Sequence, residues 1–82
     1  VIERANNNNL GLCSYLYTNS MEQAHIGSEK LESGTVAVNT GVVAVAEAPF
    51  GGIKQTGYGR EGGSGAIKDY LNVKYTHMGL KI

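Results

Sequence analysis

Eight of the twelve glycines in this 82-residue chain, at positions 41, 51, 52, 57, 59, 62, 63 and 65, lie in one stretch that also holds its only proline, Pro49. Such a stretch reads as irregular, because each Gly loses more backbone entropy on ordering than any other residue. Residues 40 to 65 are therefore expected to form one long, shaped loop. Loops of that length in a compact domain are more often functional, or propped by neighbouring structure, than idle. Regular structure is left to the flanking segments.

Upstream, "VIERA" reads as the end of a helix that fades into Asn6, Asn7, Asn8 and Asn9, residues that favour turns. "LGLCSYLYT" carries Leu12, Cys13, Tyr15, Leu16 and Tyr17 without a turn former, which suits a short buried strand. Ser20 is placed to cap the next helix, with Gln23 completing a capping box and Gly34 standing where a left-handed C-terminal cap belongs. Within that helix Met21, Ala24, Ser28 and Leu31 form a narrow stripe able to lie on a sheet. "GTVAVN" follows as a second strand. Strand, capped helix and strand make a β-α-β unit with parallel strands and a right-handed crossover, so the fold class is α/β.

Downstream of the loop, "SGAIKDYL" offers a short helix capped by Ser64. "NVKYTHM" then alternates Val73, Tyr75 and His77 against Lys74, Thr76 and Met78, which predicts a third strand. It has no evident neighbour within the chain, and an unpaired edge seeks a partner.

Lys plus Arg and Asp plus Glu number seven each, so no basic field is available to hold nucleic acid or anionic lipid. Cys13 is the only cysteine, which excludes an internal disulfide and fits a reducing, cytoplasmic setting. No apolar run approaches the ~20 residues of a membrane helix, and the N-terminus has no signal-peptide pattern. A start at Val1, inside a helical-looking run, suggests a piece of a longer protein.

Several residues invite a chemical reading. "GYGREG", residues 57 to 62, matches G-x-G-x-x-G, but a pyrophosphate site needs a strand before it, a helix after it and an acidic residue about twenty positions on. "PFGGIKQT" precedes it and the required acid is missing, so a bent loop is the better reading. Cys13 has no His, Lys or Arg within three positions to lower its pKa, which favours packing over nucleophilic work. His25 and His77 lack zinc-ligand spacing, and no metal is expected. Glu47 and Glu61 flank the loop without a nucleophile to activate, and Arg60 beside Glu61 suits a local ion pair. Phe50, the only phenylalanine, is held between Pro49 and Gly51-Gly52 and can serve as a pocket wall or a core plug.

The stretch "NTGVVAVAEAPFGGIKQTGYGREGG" resembles the C-terminal segment of the aldehyde dehydrogenase superfamily, most closely its succinate-semialdehyde dehydrogenases. The family signature of Pro-Phe-Gly-Gly, a Lys two residues later, then Ser-Gly-x-Gly-Arg-Glu corresponds to Pro49, Phe50, Gly51, Gly52, Lys54, Thr56, Gly57, Gly59, Arg60 and Glu61. Thr56 in place of Ser is the one departure. "RANNNNLGLCSYLYT", "SGTVAVNTG" and "KDYLNVKYTHMGL" extend the resemblance nearly end to end.

The resemblance implies that residues 1–72 are the C-terminal part of a catalytic domain, a partial β-α-β unit, and that 73–82 form an oligomerisation strand. It implies a homo-oligomer joined through Val73, Tyr75 and His77. Family members attack the aldehyde with a thiolate, pass hydride to NAD(P) and hydrolyse the thioester. The nucleophilic Cys, general-base Glu and cofactor domain of the family correspond to nothing here, so this segment is expected to be inactive alone and to bind no cofactor, NAD(P) belonging to the parent enzyme. Phe50 aligns with an aromatic of the substrate tunnel, and Ala44 with a Ser that helps hold the succinate-semialdehyde carboxylate, a hydrogen bond Ala cannot donate. Two other readings compete: a stand-alone self-associating or partner-binding module, and a free-standing dinucleotide binder.

Overall fold

The computed structural model describes residues 1–81; Ile82, the last residue of the expected 73–82 strand, lies outside the described residues. In chain order the elements are α1 (Ile2–Asn6), β1 (Leu10–Gly11), β2 (Cys13–Leu16), α2 (Met21–Lys30), β3 (Thr35–Val38), β4 (Ile53–Lys54) and a 3₁₀ helix over Ala66–Tyr70. β2 and β3 pair in parallel from Cys13↔Thr35 to Leu16↔Val38, with α2 as their connection. β1 and β4 pair antiparallel, Leu10 opposite Lys54 and Gly11 opposite Ile53.

Ser20 caps α2 as its sequence position predicts, its Oγ accepting from the Gln23 N–H at 3.2 Å. The return half of the box runs through a relay. The Ser20 N–H donates to Thr18 Oγ1 at 3.1 Å, and that hydroxyl donates to Gln23 Oε1 at 2.6 Å. The helix meets its sheet at Gly27, where an added Cβ would strike the Leu16 side chain. The stripe expected along Met21, Ala24, Ser28 and Leu31 is only partly used: Ala24 and Leu31 are half-buried, whereas Met21 and Ser28 are exposed. A glycine at the contact lets the strand's leucine enter the helix surface, which moves the contact line off the stripe.

Gly34 is not the left-handed cap that its position suggested. The α2 C-cap is Leu31, in extended conformation, and its N–H returns to the Gly27 carbonyl at 3.0 Å. Gly34 instead lies against the opposite loop, where an added Cβ would collide with the Gly51 carbonyl oxygen. Backbone approach, not φ, requires glycine there.

Two further expectations are corrected. The helix after the loop is 3₁₀, its N-cap is Gly65 and no side chain caps it, so Ser64 does not have that role. Gly62 and Gly63, at φ 70° and 74°, turn the chain just ahead and set where the helix begins. The strand expected over Val73, Tyr75 and His77 is not formed: residues 71–81 belong to no helix or strand and are exposed throughout. Alternation can prepare a strand, but a ladder needs a partner backbone. This tail stretches the molecule to 69 × 24 × 20 Å and its radius of gyration to 18.6 Å, against about 12 Å for a compact chain of this length.

Among the described residues Ala37, 4% exposed, is the buried hydrophobic core. Large apolar side chains including Tyr15, Tyr17, Val42, Val45, Ile67 and Leu71 face outward. No helix among the described residues is long and apolar enough to cross a membrane.

Candidate functional site

The glycine-rich stretch folds into two arms that meet at Phe50 and Glu61. The Phe50 N–H donates to the Glu61 carbonyl and the Glu61 N–H to the Phe50 carbonyl, both at 2.7 Å, an antiparallel bridge. Glycines let the arms close on one another. An added Cβ at Gly51 would collide with the Gly59 carbonyl. Arg60 spans the gap, its Nη1 donating to the carbonyls of Gly52 at 2.8 Å and Gly59 at 3.0 Å. The ion pair between Arg60 and Glu61 that adjacency suggested is replaced by these carbonyl contacts.

"GYGREG" forms the return arm. Gly57 and Gly59 sit at φ 118° and 91°, a region that costs glycine nothing and other residues much. The two-residue β4 and a turn precede the run, Glu61 within it bridges to Phe50, and the next helix begins only at Ala66. The Glu61 N–H is donated to the Phe50 carbonyl. The run therefore lacks the direct strand-to-helix setting of a dinucleotide fingerprint.

Phe50 and Ala44, both singled out by the resemblance, line one cavity of about 410 Å³ together with Val43, Val45, Ala46, Ala48, Glu61 and Gly62. Its side-chain walls are aliphatic and aromatic except at Glu61. The arm bearing Ala44 is held by the Gly63 N–H donating to the Ala46 carbonyl at 3.0 Å. Phe50 also lines a second cleft of about 340 Å³, with Leu12, Tyr58, Arg60, Asp69 and Tyr70 around it. Phe50 and Glu61 are thus shared by both hollows. Glu47 lines neither of these two hollows.

The loop is fastened to the rest of the chain by residues whose fastening role the sequence did not mark. Thr56 Oγ1 accepts from the Gly11 N–H at 2.8 Å, and the Gln55 N–H donates to the Asn9 carbonyl at 2.9 Å. Lys54 Nζ reaches the carbonyls of Asn6 at 3.0 Å and Asn8 at 3.3 Å and lies 2.9 Å from Glu32 Oε1. Asn6 in turn donates to the Lys30 carbonyl and accepts from the Glu32 N–H, each at 2.8 Å. Their partners are mostly backbone atoms, which carry no identity a sequence reader could match. Only the position of Lys54 and Thr56 within the signature run hinted at them.

Cys13 is a free, half-buried thiol on β2. Beside it Tyr15 has its phenol pushed above its ordinary value by the Cys13 sulfur, first through a hydrogen bond and then through charge. Tyr75 and His77 touch one another on the tail, hydroxyl to Nδ1 at 3.1 Å with the rings edge to face. No group of three or more potential metal ligands occurs among the described residues.

A profile of the Aldehyde dehydrogenase family matches residues 1–76. The chain belongs to that family. The chain is 47% identical over 78 residues to a succinate semialdehyde dehydrogenase of Acinetobacter baylyi, covering 95% of this chain and 16% of that one. It is 48% identical over 79 residues to a 3-sulfolactaldehyde dehydrogenase of Pseudomonas putida, covering 96% and 16%. Among solved structures, the NAD+ complex of an aldehyde dehydrogenase from Bacillus cereus superposes with a TM-score of 0.87 at 44% identity, over 98% of this chain and 16% of that one. The chain thus spans about a sixth of the length of these aldehyde dehydrogenases.

Proposed function

We propose that this chain is the C-terminal, substrate-facing segment of an NAD(P)-dependent aldehyde dehydrogenase that oxidises a small semialdehyde, of the succinate-semialdehyde type, to the carboxylic acid. The observation that carries this reading is the meeting of Phe50 and Ala44 in one cavity of a chain that belongs to the family. The names of the two relatives support an aldehyde with an anionic far end, and the NAD+ complex supports the coenzyme class. In this division of labour Phe50 walls the aldehyde's path and the Val43–Ala48 arm meets its far end. The reacting thiol, the base and the coenzyme pocket come from other sequence. The glycines of 57 to 62 serve loop geometry, and no step of the reaction passes through a coenzyme held here.

The exposed tail supports a second element of the proposal. Tyr75 is 83% and Leu80 90% exposed, and a segment with alternating side chains and free backbone groups is suited to adding a strand to a neighbour's sheet. We place the homo-oligomeric contact there, through Val73, Tyr75 and His77.

The test is NAD(P) reduction with succinate semialdehyde, measured on the parent enzyme and on the 82-residue chain. Turnover by the parent and none by the short chain is expected. Turnover by the short chain would refute the division of labour, and a parent inert toward every aldehyde would refute the activity.

A further inference from the structure

Lys54 is one of only two non-glycine residues among those described with a positive φ, at 59°; the other is Asn39 at 57°. Asn tolerates that region and Lys has no local side-chain bond to favour it. Something outside the loop therefore holds Lys54 in place. An ammonium has three donors, and three acceptors surround this one: Glu32 Oε1 at 2.9 Å, the Asn6 carbonyl at 3.0 Å and the Asn8 carbonyl at 3.3 Å. The head group is saturated by its own chain.

The acceptor set is itself prearranged. Asn6 takes the Glu32 N–H on its Oδ1 and gives its Nδ2 to the Lys30 carbonyl, so the end of α1, the exit of α2 and β4 close into one ring of contacts. A pair between Lys54 and a half-exposed carboxylate would contribute little alone. Two fixed carbonyls give it direction. This is the one ion pair found among the described residues, and it anchors the arm that leads back to Phe50.

We propose that Lys54 is a positioning residue for the aldehyde-binding wall: it clasps the loop to the α1 terminus and to Glu32, and thereby sets Phe50, without touching substrate. This rests on the aldehyde-oxidising reading above.

The experiment is steady-state kinetics on the full-length enzyme carrying this segment, with succinate semialdehyde and NAD(P) varied separately. In Lys54→Met the aldehyde KM is expected to rise about fivefold or more, with kcat held within about twofold and the coenzyme KM unmoved. Lys54→Arg should recover part of the loss, and Glu32→Gln should fall between. An aldehyde KM unchanged in both Lys54→Met and Glu32→Gln overturns the inference, as does a coenzyme KM that rises in step with it. If Lys54→Met yields no soluble enzyme, Glu32→Gln decides by the same criterion, since both carbonyl contacts remain. A wild-type enzyme that oxidises no aldehyde overturns the functional reading and this inference with it; an active one with unmoved KM overturns this inference alone.

Discussion

The Thr56 hydroxyl accepts the Gly11 N–H at 2.8 Å, joining residues 45 positions apart. The bond needs an oxygen on Cβ, which Thr and Ser both supply. Thr56→Ser in the parent enzyme is therefore expected to change unfolding free energy by no more than about 0.5 kcal/mol. Thr56→Val keeps the shape but strands a part-buried N–H, at about 1–3 kcal/mol. Chemical denaturation of the two variants side by side checks the difference.

Gly34 and Gly51 approach too closely for any side chain between them. Gly34→Ala should destabilise the parent by about 2–3 kcal/mol, because the obstacle is backbone and cannot swing aside. Gly79→Ala is the control, with open space around it and no positive φ. Equal melting temperatures for the two variants would contradict the packing described.

Ala44 faces the cavity without a hydrogen-bond donor. Ala44→Ser in the parent is predicted to lower the KM for succinate semialdehyde about three- to tenfold, the effect of one added bond to a carboxylate, on the order of 1 kcal/mol. An uncharged aldehyde of similar length should show no such gain. Loss of affinity for both would place residue 44 elsewhere than at the aldehyde's far end.

Tyr15 keeps its proton above its ordinary value of 10.0 because of Cys13. The folded chain then binds that proton more tightly than the unfolded chain, so the contribution is complete below pH 10 and is lost as pH rises through the folded value. The difference between wild-type and Tyr15→Phe tyrosinate absorbance should titrate above the usual phenol range. Cys13→Ala should bring it back down. A Tyr15 titration indifferent to Cys13 would remove the cause assigned to it.

Local signals were legible and long-range ones were not. Ser20 and Gln23 announce a helix start because a cap is a property of a few adjacent residues, and the β-branched run at 35–38 announces a strand for the same reason. Gly34 looked like a cap because position relative to the helix is all that sequence offers; its true constraint comes from Gly51, on the far side of the loop. β1 and β4 are two residues each and meet across more than forty positions, so no period could reveal them. Val73, Tyr75 and His77 alternate as a strand should, yet the tail is unladdered, since the pattern records what a segment can pair with and not whether the partner is in the same chain. Phe50 and Ala44, which the resemblance singled out, share one cavity, while Lys54 and Asn6 act through carbonyls that every residue possesses.

Among the described residues only the methyl of Ala37 is fully enclosed, while Leu16, Val36, Val38 and Phe50 are half-covered. The rise in heat capacity on melting scales with oily area newly wetted, and here much of that area is in water from the start. Heated by itself, the polypeptide should show a shallow, drawn-out calorimetric trace in place of a peak, and a sharp transition would emerge only once surrounding structure dries those side chains.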